Sequence, residues 1–157
     1  MKAASISQLK DELNILPQKE VVALCLRLAK YKKENKELLA YLLFDAHDVE
    51  GYLQTIKNEM NDAFWYLPRQ NWYLYKKGLR KILRDIQKRS RHIGTKEAQV
   101  EMLLHFCRNM KNSGMPFQQH TAVNNIYIAQ IKKLHTLIEE THEDLQYDYR
   151  KQLNELQ

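Results

Sequence analysis

His135, Glu139 and His142 follow one another at steps of four and three, which sets an imidazole, a carboxylate and a second imidazole on one side of a helix. Those ligand types suit a transition metal such as zinc or iron. A di-iron bundle needs two Glu-x-x-His motifs on different helices, and only His142 has a glutamate three residues before it. Glu101 and His105, four residues apart, complete a mixed site only if their helix faces that of His135. A metal-dependent helical enzyme built on these five residues is therefore an outside reading.

Other catalytic patterns find little support. His47-Asp48 resembles the dipeptide with which the helical HD phosphohydrolases hold a metal, but that family also needs a histidine upstream and His47 is the first in the chain. Asp48 is better placed as a helix N-cap. Cys25 and Cys107 each sit among apolar neighbours, where a thiol behaves as a small hydrophobe and a reducing compartment is expected. With four glycines in the chain there is no Gly-x-Ser-x-Gly elbow and no phosphate-cradling loop. No catalytic residue, metal ligand or cofactor is assigned.

Charge is the more informative signal. The net charge of +6 is unevenly placed, because residues 69–111 carry twelve Lys and Arg against three Asp and Glu. Lys77, Arg80, Lys81, Arg84, Lys88 and Arg91 recur at helical steps beside an apolar stripe of Leu79, Ile82 and Ile86. Arg69, Trp72 and Tyr73 stand at the entrance to this segment, with Trp65, Tyr66 and Tyr75 nearby. Aromatics interleaved with cations suit unpaired bases and phosphates, hence single-stranded nucleic acid or structured RNA. The competing reading is a solvated charged surface with the aromatics filling a helix junction.

The elements that would position these residues are helices. Only four Gly and three Pro leave almost nothing from which to build the turns of a β fold. The expectation is an all-α chain of about seven amphipathic helices packed as antiparallel hairpins, in a helical bundle or a short stacked, α-solenoid-like array. Residues 1–157 are expected to form a single domain, with about 146–157 a candidate for fraying.

Ser5-Ile6-Ser7-Gln8 is a capping box for the first helix, and Pro17 suits the first position of the second. Val21, Val22, Leu24, Cys25, Leu26 and Leu28 predict burial of the second helix on several sides. Asn35 is expected to cap the third helix, Asp48 the fourth, Asn71 the fifth and Thr95 the sixth. The fifth runs to Gly94, residues 112–116 form a loop, and a long seventh helix starts near Thr121 with Leu145 on its apolar stripe. The second and sixth helices share a spacing of apolar residues, which common helical periodicity also explains.

No run of apolar residues resembles a signal peptide or reaches the roughly 20 needed for a membrane span. A cytoplasmic location is the expectation. The leading functional expectation is a non-enzymatic helical binding module whose partner is another protein. Nucleic-acid binding through the basic helix 77–91 is the first alternative, and the metal-dependent enzyme the second.

Overall fold

The computed structural model describes residues 2–157. Among them are α1 (Ile6–Ile15), α2 (Gln18–Tyr31), α3 (Lys33–Ala40), a π-helical turn (Tyr41–Asp45), α4 (Val49–Trp65), α5 (Trp72–Ile93), α6 (Lys96–Asn112), a 3-10 turn (Phe117–Gln119), α7 (Thr121–Glu139) and α8 (Glu143–Leu156). The chain is all-helical, with no strand among the described residues. Among the described residues no helix is long and apolar enough to cross a membrane. Read as one domain from its length, the chain divides by its contacts into two compact units, residues 1–45 and 46–157.

In the first unit, α1 opens on the expected capping box. Ser5 Oγ accepts from the Gln8 amide at 3.2 Å and Gln8 Oε1 accepts from the Ser5 amide at 2.8 Å. Pro17 stands one residue before the helix, at its N-cap. α2 and α3 are in contact across a break confined to Lys32, whose backbone is extended (φ −141°, ψ 143°). Asn35 does not cap α3 as expected. It already lies inside that helix, and its Nδ2 donates to the Leu28 carbonyl at 2.8 Å, closing the C-terminal end of α2 instead. The expected burial of α2 is corrected more strongly. None of α1, α2 or α3 contains a buried residue, and Cys25 is exposed, because each helix of this unit has too few neighbours to cover its apolar arc.

The second unit is a bundle organised around α6, which packs against α4, α5, α7 and α8. Enclosure on that many sides is why α6 buries Val100, Met102, Leu103, Leu104, Phe106 and Cys107, residues that cover most of its circumference. α2 and α6 thus share an apolar spacing but occupy opposite environments. Asp48, Asn71 and Thr95 cap α4, α5 and α6 as expected, each accepting from the amide three residues on. Gly94 ends α5 with φ 80°, a left-handed conformation that favours glycine.

The long last helix is in fact two. α7 stops at Glu139, and the buried Thr141 donates its hydroxyl to the Ile138 carbonyl at 2.6 Å. Gln146 Nε2 donates to the Glu139 and Thr141 carbonyls at 3.2 and 2.9 Å, satisfying groups that a continuous helix would have used. The break lets α8 turn back onto α6 and α7. Tyr149, Leu153 and Leu156 are buried there, and Lys111 Nζ donates to the Glu155 carbonyl at 2.7 Å, tying down the end of the chain.

Candidate polyanion-binding face

The rotation of α5 about its own axis is set by what it buries. Tyr75, Leu79, Ile82, Leu83 and Ile86 face the core, so the side opposite them faces solvent. Tyr73, Lys77, Arg80, Arg84 and Arg91 occupy that outer side, and Lys81 lies at its edge; all six are exposed. From Lys77 to Arg91 the stripe extends about 21 Å at 1.5 Å per residue. Lys88 is half-buried, and Arg91 turns its Nε onto the Gln87 carbonyl at 3.4 Å.

Three other cations of the second unit pair with acids. Arg89 meets Glu59 at 2.6 Å and Asp85 at 3.4 Å, Lys57 meets Glu101 at 3.1 Å, and Lys96 meets Glu140 at 2.9 Å. Among the described residues, Lys77, Arg80, Lys81 and Arg84 have no carboxylate within ion-pair distance. Like charges three and four residues apart cost a helix about 0.2–0.5 kcal/mol per pair. The outer face therefore carries an electrostatic cost that no ion pair among the described residues relieves.

Aromatic side chains flank the N-terminal end of this face. Trp65, Tyr66 and Tyr73 are 74%, 81% and 67% exposed, and Lys76 Nζ lies 5.9 Å from the centre of the Tyr73 ring. Trp72 and Arg69 take different positions. Trp72 is half-buried, stacked on His120 with centroids 4.7 Å apart and set edge-on to Tyr75 at 5.8 Å, so its ring is committed to packing. Arg69 is exposed but leans toward the loop after α6, where a Cβ on Gly114 would lie 4.0 Å from its Nη1.

Beside the stripe, between α4 and α5, lies an open cleft of about 350 Å³ whose lining is mostly apolar (Ile56, Met60, Leu67 and Ile82 among it) but also includes Glu59, Lys81 and Asp85. Leu67 closes one end by approaching Gly78 so tightly that a Cβ there would sit 2.2 Å from its Cδ2. Sequence reasoning missed this cleft. Its one signal was a glycine in the middle of an otherwise strong helical pattern, which marks a close approach.

The metal-ligand residues are not brought together. α6 and α7 do pack on each other, but Glu101 and His105 turn toward α4, where Glu101 meets Lys57 and His105 Nε2 lies 2.7 Å from Asn61 Oδ1. His135 Nε2 is 3.0 Å from Gln157 Nε2, and His142 caps α8 through its Nδ1, which accepts from the Asp144 amide at 3.2 Å. The break at residues 140–142 removes His142 from the helix of His135 and Glu139. Among the described residues no three His, Cys, Asp or Glu side chains cluster as a metal site. Compared with family models, with curated proteins and with solved structures, the chain matches none, so its own geometry carries the functional reading.

Proposed function

We propose that this chain is a non-enzymatic helical binding module that holds a polyanion on the outer face of α5, with single-stranded or structured RNA the ligand that its chemistry suits best. One observation carries this reading: Lys77, Arg80, Lys81 and Arg84 share one exposed face, and among the described residues none of them has a carboxylate within ion-pair distance. Phosphates would relieve the mutual repulsion, and release of their counterions would drive binding. Exposed Trp65, Tyr66 and Tyr73 offer faces on which unpaired bases can stack.

The test is fluorescence-polarisation binding to single-stranded RNA, single-stranded DNA and duplex DNA across a salt series. Four phosphate contacts on a single strand predict a slope of about −3 in log affinity against log salt. Replacing Lys77, Arg80, Lys81 and Arg84 by Glu is expected to abolish retention with helicity and melting unchanged. Equal binding by this variant, or weak binding that vanishes alike for all three nucleic acids at physiological salt, overturns the reading. A protein partner is the second reading, favoured by the apolar side chains that the first unit leaves exposed.

A further inference from the structure

Uncovered apolar surface is concentrated in residues 1–45. Among the described residues twenty-one large hydrophobic side chains are exposed, and thirteen of them belong to this unit, although the second unit is more than twice as long. Tyr41 is the one buried hydrophobic residue described in it. Helices of ten, fourteen and eight residues are too short to be stable in water by themselves, and 45 residues are close to the lower limit for a self-sufficient core. Such a unit gains stability by covering its helices with another molecule.

α2 carries the information about which molecule. Leu24, Leu28 and Tyr31 recur at steps of four and three along one side of the helix and are 42%, 62% and 77% exposed. Glu20 and Arg27, seven residues apart, border the same edge of that side, both exposed and neither in an ion pair among the described residues. Two antiparallel helices related by a twofold axis bring like edges together. Centred near Leu24, such a pairing sets Glu20 of each copy against Arg27 of the other, twice over, with Leu24 of each copy between them and Leu28 and Tyr31 beyond them. The helix is thus complementary in charge to an inverted copy of itself.

We infer that the exposed side of α2 docks on α2 of a second copy of this chain, antiparallel, making a twofold dimer with Leu24, Leu28 and Tyr31 as its apolar seam. A stable interface takes about 800 Å² from each partner. A fourteen-residue helix about 21 Å long gives part of this, and the other exposed apolar side chains of the unit are available for the rest. The dimer stands on a different surface from the α5 face and requires no nucleic acid.

Sedimentation equilibrium of the full chain over a concentration series is the test, with nucleic acid removed by nuclease and high-salt washing. A reversible monomer–dimer equilibrium is expected. Leu24→Glu should raise the dimer dissociation constant at least about tenfold, with thermal melting of the second unit retained. Glu20→Arg and Arg27→Glu should each weaken the dimer, and the two together should restore it, because the reversed pairs are again complementary. A chain that stays monomeric throughout, as expected if a different protein covers this face, refutes the inference. So does a dimer indifferent to Leu24→Glu, or a charge-reversed double variant no tighter than the single ones. RNA binding by the α5 face is read separately, so either proposal can fail alone.

Discussion

Cys25 and Cys107 have similar apolar neighbours in sequence, yet Cys25 is exposed and Cys107 is fully buried beneath the helices around α6. Burial also pushes the Cys107 thiol up to about 12, so it is both shielded and protonated near neutral pH. A water-soluble disulfide reagent is therefore expected to titrate one thiol per native chain and two in denaturant, and Cys25→Ser should leave none reactive in the native protein. Comparable native reactivity at Cys107 would mean that the core about α6 opens readily. The cationic residues show the same divide between type and setting. Lys77, Arg80 and Arg84 could be placed on one stripe from spacing, whereas the pairing of Arg89 with Glu59 depends on α4 lying beside α5. Trp72 was readable as an aromatic beside cations, but its stack on His120 joins residues 48 positions apart and left no local trace.

Among the elements, those whose ends are set by local chemistry were the most legible. Asp48, Asn71, Thr95 and Gly94 act through groups three or four residues away, so their sequence signals sufficed. The break between α7 and α8 was hidden because no glycine or proline marks it; Thr141 and Gln146 satisfy the freed carbonyls with their side chains. The break also changes which residues matter. Leu145, expected on the apolar stripe, is 38% exposed, while Leu153 near the end of the chain is 1% exposed. Leu153→Ala is expected to cost about 2–5 kcal/mol of unfolding free energy, and Leu145→Ala less than about 1 kcal/mol because little packing is lost. Urea unfolding of the two variants checks the order; a larger loss at Leu145 would contradict the docking of α8.

The second unit as a whole buries groups that resist ionisation on both sides of neutrality. Burial raises Tyr127 and Tyr149 to about 12, as it does Cys107, so the folded chain keeps protons that the unfolded chain releases once pH rises above about 9. Stability then falls as pH increases. His105 is shifted the other way, lowered by burial and by the charges of Lys57 and Arg108. The unfolded chain takes up a proton below about pH 6.5 that the folded one resists, so stability falls as pH decreases. Urea midpoints measured against pH are expected to plateau between about 6.5 and 9, and His105→Gln should soften the acid limb. An unchanged acid limb would assign it to carboxylates instead. The amino-acid sequence by itself determined the all-helical class, most helix ends and the cationic stripe of α5, because these depend on residues within one or two turns of each other. Which helix lies at the centre of the bundle, which leucines stay uncovered in α2, and where Glu101 and His105 point were decided only by tertiary packing, since burial and pairing depend on neighbours distant in the chain.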